Sequence, residues 1–187
     1  MSKIIAIIAG EPNSISSEII FKAWNLKKKH KLKSFFIIGS YNLLKKQKKK
    51  LKFKIKIKKI NENFKINELS CAALPIYDVS YNQKKPYEKV STKSNGYIFK
   101  CFDLALKLIK KKKIYGFINC PIAKEYLFQQ QHQGITEFLS SKLGAKNNEV
   151  MLIYNKKLSV SPITTHIPID RVSKLINKKK LLKKLKL

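Results

Sequence analysis

The chain has 187 residues, 44% of them hydrophobic, enough for a sizeable core and too apolar for a disordered polymer. The formal net charge of +30 suggests nucleic acid at first sight, yet Arg171 is the only arginine among 41 basic residues. Proteins that read bases or grip phosphate lean on arginine's bidentate fork, whereas lysine, isoleucine and asparagine in excess together reflect AT-rich codons, so no specific nucleic-acid partner is expected.

Residues 4–9 form a continuous apolar run, the pattern of a strand buried on both faces of a parallel sheet. Residues 10–14 read as loop. Ser16 is expected as an N-cap, with Glu18 in the first turn, and Ile20, Ala23 and Trp24 recur at helical spacing. Phe35, Phe36, Ile37 and Ile38 predict a second strand, which completes a β-α-β unit. Residues 41–51 read as helix. Residues 53–58 alternate Phe53, Ile55 and Ile57 with lysines, which predicts a half-exposed strand near a sheet edge. Residues 71–79 are apolar but contain Pro75, the mark of another edge strand. Residues 81–88 read as loop.

Ile98, Cys101, Phe102, Ala105, Leu108 and Ile109 form a helical stripe, followed by the cations Lys110 to Lys113. A strand is expected over 114–118, then Asn119, Cys120 and Pro121, with Pro121 as the first residue of a new helix. Ligands in open α/β sheets bind beyond the carboxyl ends of strands, so residues 119–124 are a candidate site region. Residues 134–138 begin a short helix. Residues 150–154 and 158–165 predict two strands joined by a turn at 155–157, and residues from 169 onward read as helix again. Residues 178–187 hold six lysines and four leucines with no glycine, asparagine or proline. The chain is therefore expected to end inside an element, by truncation or artifice.

Cys71, Cys101 and Cys120 are odd in number and widely spaced, as expected of free thiols in a reducing compartment. The apolar run at 4–9 is too short for a signal-peptide core or a membrane span, so a cytoplasmic protein without a membrane partner is expected. Of the three histidines, His30 lies in a lysine run and His132 in a glutamine-rich stretch. His166 ends a β-branched segment just before Pro168, a setting that suits a histidine bonded to backbone, a metal ligand or an acid–base group. Thr136 suits either a helix N-terminal hydroxyl or a substrate contact. Lys124 is either one solvated lysine among many or a contact for phosphate or carboxylate. Glu11 suits a partner of helix N-termini or a place near a cofactor. Cys120 reads as a packed thiol, with no histidine near it in sequence to activate it.

Three segments occur in order: Ile8-Ala9-Gly10-Glu11-Pro12; Ile118-Asn119-Cys120-Pro121-Ile122-Ala123-Lys124, followed by Gly134-Ile135-Thr136-Glu137-Phe138; and Thr164-Thr165-His166-Ile167-Pro168. Together they resemble the 4-hydroxythreonine-4-phosphate dehydrogenase (PdxA) family of pyridoxal phosphate biosynthesis. The resemblance runs to about Ile176 and covers the N-terminal half, or a little more, of a typical member. It implies an α/β fold, an α/β/α sandwich like that of the isocitrate and isopropylmalate dehydrogenases, with the C-terminal part of both domains missing. Residues 1–133 would be the first α/β domain and residues 134–187 the start of a truncated second one.

The resemblance also implies NAD-dependent oxidation, with decarboxylation, of a small phosphorylated hydroxy-amino acid, by a homodimer when complete. A divalent metal (zinc, magnesium, manganese or cobalt) would polarise the alcohol. His166 falls on one of the family's three metal histidines, Thr136 on a substrate contact, and Lys124 beside the strand-end site. Ile135 departs from a family histidine, Ala123 from histidine or asparagine, and Cys120 from glycine. Asn13-Ser14-Ile15-Ser16 replaces a glycine-richer loop. The family's other metal histidines and most of its NAD site lie downstream of the matching segments, so this chain by itself is expected to be inactive. A basic, non-catalytic protein of the same fold, bound to nucleic acid or an acidic surface, is the alternative function.

Overall fold

A continuous apolar segment is stable in a sheet only when strands flank it on both sides, and Ile5–Ile8 (β1) meets that condition. In the computed structural model, which describes residues 4–69, 72–129, 134–145 and 148–186, it runs parallel to Phe35–Gly39 (β2) on one side and to a strand at Gly116–Asn119 on the other. Lys56–Ile60 (β3) and Ala73–Asp78 (β4) extend the β2 side, and Gly116–Asn119 is β5. The sheet order is β3-β4-β2-β1-β5, and every pairing is parallel.

The chain divides into two compact units, Met1–Leu127 and Phe128–Leu187. In the first, Ser16–Leu26 (α1) and Tyr41–Lys50 (α2) pack on one face of the sheet, where Ile20, Phe21, Trp24 and Leu44 meet Phe35, Ile37, Leu74 and Ile76. The alternate residues Phe36 and Ile38 are fully buried on the opposite face, as the two-residue period of a strand requires. There Phe36 lies 5.0 Å from the Phe64 ring, just before the short helix Ile66–Leu69 (α3). Asn95–Lys110 (α4) packs on β1, β2 and β5, with Ile98, Cys101, Phe102, Ala105 and Leu108 of its predicted stripe buried and Ile109 half-buried. The first unit is thus a three-layer α/β/α arrangement, as expected.

Local departures from the sequence expectations have physical causes. Ile15, not Ser16, occupies the N-cap of α1, and Ser16 is already helical. The serine that accepts a backbone N–H there is Ser14, from Ser16 at 3.1 Å. β3 begins at Lys56 rather than at residue 53, because Phe53 turns inward to a ring contact with Phe21 at 5.4 Å. β4 is not an edge strand, since β3 and β2 flank it. Its pairing with β2 starts at Ile76, one residue after Pro75, so the missing proline N–H precedes that ladder.

In the second unit, Ile135–Lys142 (α6) buries Phe138, whose ring lies 5.5 Å from that of Phe128 in Lys124–Phe128 (α5). The two strands expected over 150–165 reduce to a single antiparallel bridge, Ile153 to Val160, with N–O distances of 2.8 and 2.9 Å. The expected turn forms, with Asn155 Oδ1 accepting from Lys157 N at 2.9 Å. Among the described residues no third strand joins this pair, and an isolated hairpin is marginal. Ile169–Leu175 (α7) and Lys178–Leu185 (α8) close the unit, separated at Asn177, whose side chain accepts from Lys180 N at 2.9 Å.

Candidate functional site

The order β2-β1-β5 places a topological switch point at the carboxyl end of β1, where open α/β sheets usually hold ligands. Here two loops meet directly. Gly10 adopts φ +70°, and a Cβ at this position would lie 2.4 Å from the Pro121 carbonyl oxygen and 2.8 Å from that of Cys120. Only glycine tolerates that approach. The Pro121 carbonyl accepts from Glu11 N at 2.9 Å and from Ser16 Oγ at 3.4 Å. With its carbonyl committed to the β1 loop, Pro121 does not start a helix, and α5 begins only at Lys124.

Glu11 is buried, and both carboxylate oxygens are engaged: Oε1 accepts from Asn13 N at 3.1 Å and Oε2 from Ser94 Oγ at 2.9 Å. Ser94 is the N-cap residue of α4, so Glu11 ties the β1 loop to a helix start. The cavity lined by Gly10, Glu11, Ser17, Gln47 and Tyr97 has a volume of about 10 Å³. Cys120 is a packed thiol, as expected, and burial pushes it from 9.0 up to about 11. Cys101 is likewise free and buried; Cys71 lies outside the described residues.

A polar clasp over this edge escaped the sequence reading. Gln47 Nε2 donates to the carbonyls of Pro12 at 2.7 Å and Pro86 at 3.0 Å. Gln83 Nε2 donates to Asn13 Oδ1 at 2.9 Å, which also accepts from Glu88 N at 2.7 Å. Ser17 and Tyr87 hydroxyls are 2.7 Å apart. Gln47 carried a signal: it follows Leu43 and Leu44 on the buried stripe of α2, where an amide needs buried partners. Its partners, more than thirty residues away, left no trace in local sequence.

The predicted site residues fall in both units. Lys124 is exposed in the first turn of α5, in the first unit. Thr136, half-buried on α6, and Thr165 line one small cavity of about 40 Å³ in the second unit, with Glu137, Glu149 and Lys184. The structure therefore brings the Gly-Ile-Thr-Glu and Thr-Thr-His segments together. His166 is exposed, does not end a strand, and adopts φ +56° in a bend. His30 is exposed as well, and His132 lies outside the described residues.

The described residues gather no metal site, and the carboxyl edge of β1 leaves no room for a dinucleotide. No three histidine, cysteine, aspartate or glutamate side chains among them gather where they could hold a metal ion. At the carboxyl edge the β1 and β5 loops touch, and a cavity of about 10 Å³ is far below the volume of a dinucleotide. Among the described residues no helix is long and apolar enough to cross a membrane.

Comparison with known proteins adds a family to this geometry. The family model described as pyridoxal phosphate biosynthetic protein PdxA matches residues 31–187. The chain is 31% identical over 185 residues to a 4-hydroxythreonine-4-phosphate dehydrogenase of Sulfurihydrogenibium, covering 98% of this chain and 56% of the relative. It is 30% identical over 190 residues to the Aquifex aeolicus protein of that name, covering 100% of this chain and 57% of the relative. The chain thus spans a little over half the length of these curated relatives. A crystal structure of a Burkholderia phymatum 4-hydroxythreonine-4-phosphate dehydrogenase superposes with a TM-score of 0.84 at 20% identity, over 98% of this chain and 56% of that one. At that identity the likeness speaks for the fold.

Proposed function

Because the chain belongs to the PdxA family of pyridoxal phosphate biosynthetic proteins, we propose that it contributes the N-terminal half of a 4-hydroxythreonine-4-phosphate dehydrogenase. The reaction is oxidation of the substrate's secondary alcohol by NAD, with loss of carbon dioxide from the resulting β-keto acid. The observation that carries this reading is the convergence of Thr136 and Thr165 on one cavity, since each belongs to a segment that resembles the family.

In this reading the Thr136 hydroxyl orients substrate by a hydrogen bond, and Lys124 offers an ammonium to a phosphate or carboxylate. His166 offers one imidazole nitrogen toward a divalent ion. One imidazole does not make a catalytic metal site, which ordinarily takes about three protein ligands. The remaining metal ligands and the NAD contacts therefore come from beyond the described residues, and the complete enzyme is a cytoplasmic homodimer.

The test is NADH formation from 4-hydroxythreonine 4-phosphate and NAD with zinc, magnesium or manganese. The chain is assayed alone and mixed with the C-terminal half of the Sulfurihydrogenibium relative. No turnover is expected alone, and metal-dependent turnover on mixing, lost in His166→Ala. Turnover by the chain alone would overturn the division of labour. No turnover on mixing, together with no binding of the substrate by calorimetry, would overturn the reading itself.

A further inference from the structure

Helix α8 sits in its unit the wrong way round for an amphipathic helix. Its leucines, Leu181, Leu182 and Leu185, share one face by their spacing, yet they are 39%, 45% and 73% exposed. Its lysines at 179, 180, 183 and 184 instead line a cavity of about 480 Å³, and Lys180 and Lys184 are more buried than the leucines beside them. A surface helix normally turns its apolar stripe inward and leaves cations to water. Here Lys180 and Lys184 are half-buried on the cavity side, and the exposed Lys179 and Lys183 complete its rim.

The rest of the wall suits an anion. Thr164 and Thr165 contribute hydroxyls, Asn177 an amide, and Ile163, Ile167 and Leu175 an apolar side. Asn177 Oδ1 is occupied by the Lys180 backbone N–H, which leaves the Asn177 NH2 group as a donor. Glu149 is the one acidic residue in the wall, and its Oε2 accepts from Ser140 Oγ at 2.7 Å. Lys184 Nζ donates to the Glu149 backbone carbonyl. Four lysines against one carboxylate leave a net +3 around a volume typical of small-molecule sites. Like charges held together in a concave site repel one another unless an anion joins them.

We propose that this cavity is a binding site for a small phosphate-bearing anion, with Lys180 and Lys183 as its principal charge partners. It adjoins the Thr136 cavity, with which it shares Glu149, Ile163, Thr165 and Lys184 as common wall. The proposal does not depend on the dehydrogenase reading, because binding is measured without turnover.

The experiment is titration of the full chain with inorganic pyrophosphate at physiological ionic strength, followed by calorimetry and by backbone amide NMR. Three proteins are compared: the unmodified chain; a cavity variant carrying Lys179→Gln, Lys180→Gln and Lys183→Gln; and a control carrying Lys45→Gln, Lys49→Gln and Lys50→Gln on exposed positions of α2. Glutamine keeps helix propensity close to that of lysine, and circular dichroism checks that α8 persists. Saturable binding is expected, with amide shifts centred on Thr164, Thr165, Asn177 and Lys180. Affinity should fall by about tenfold or more in the cavity variant and by less than about twofold in the control, as for charge-assisted contacts against diffuse attraction. Competition by 4-hydroxythreonine 4-phosphate would identify the substrate's own phosphate as the occupant; its absence, with pyrophosphate still bound, would identify a separate phosphorylated ligand. Equal losses in the two variants, or shifts spread over lysines of both units, would overturn the site.

Discussion

In the first unit Phe36, Ile37 and Ile38 lose all contact with solvent, whereas in the second Leu152, Ile153 and Tyr154 stay 60%, 61% and 73% exposed. The two segments have similar β propensity, so propensity does not separate them. Neighbours do. β2 lies between β4 and β1 with helices on both faces, while among the described residues Ile153 pairs only with Val160. A strand is a property of a sheet, and the same apolar sequence is either core or exposed surface according to what surrounds it. Phe36→Ala should therefore cost about 3–5 kcal/mol in denaturant unfolding, from lost transfer energy and an unfilled cavity. Ile153→Ala should stay within about 0.5 kcal/mol. Comparable losses at the two positions would break the contrast.

The next effect sharpens the same comparison through pH. Burial pushes the Cys101 thiol from 9.0 up to about 12 and that of Cys120 up to about 11. Tyr97, buried against Cys101, is also raised well above its ordinary value of 10.0 by burial. A raised folded pKa means that the folded state holds its proton longer than the unfolded chain. The stability associated with these groups is complete below about pH 9 and is lost as pH climbs toward about 12. For Cys101 the loss is on the order of 4 kcal/mol. Tyr97, Cys101 and Cys120 all precede residue 128, so alkaline unfolding should strike the first unit selectively. Tryptophan fluorescence reports it through Trp24, the single tryptophan. A first unit that stays folded and unchanged in stability to pH 12 would contradict the burial of these groups.

The contrast also explains what the sequence disclosed. The β-α-β start, the α4 stripe and a parallel sheet were legible because each rests on local periodicity: an unbroken run for β1, a 3.6-residue stripe from Ile98 to Leu108. The edge position of β3 was legible in its alternating lysines. What failed depended on distant partners. Pro121 looked like a helix start until its carbonyl met Glu11, more than a hundred residues earlier in the chain. Residues 150–165 looked like two strands because nothing local encodes the absence of a third. For the candidate site, the Thr136 and Thr165 segments were legible by resemblance, and their meeting was not. The lysine-lined cavity was invisible, because a lysine run reads as solvated surface unless its helix is turned inward.

Gln47→Met tests the clasp at a smaller scale. Methionine fills a similar volume but withdraws the donor shared by the Pro12 and Pro86 carbonyls. Leaving buried carbonyls without a partner costs about 1–3 kcal/mol. Hydrogen exchange should accelerate over residues 81–88 before it changes in β1. A variant as stable as the parent, with exchange unaltered, would show that the loop is held by other contacts.

The smallest expected effect belongs to Asn177→Ala. Asn177 separates α7 from α8 and caps α8 through Lys180 N, and among the described residues no buried side chain lies on α8. A helix of eight residues is too short to persist on propensity alone, so its cap carries a large share of its stability. Removing an asparagine cap costs about 1 kcal/mol. In the first unit such a loss would be absorbed by a cooperative core. In α8 it should appear as local fraying, with faster amide exchange at residues 178–182 and a small loss of helical circular dichroism, while the main unfolding transition of the first unit stays in place. Asn177→Asp should restore the cap and its protection, since aspartate accepts the same bond. A shift of the main transition by Asn177→Ala would mean that the two units unfold as one cooperative body, and the contrast between them would then describe exposure without describing stability.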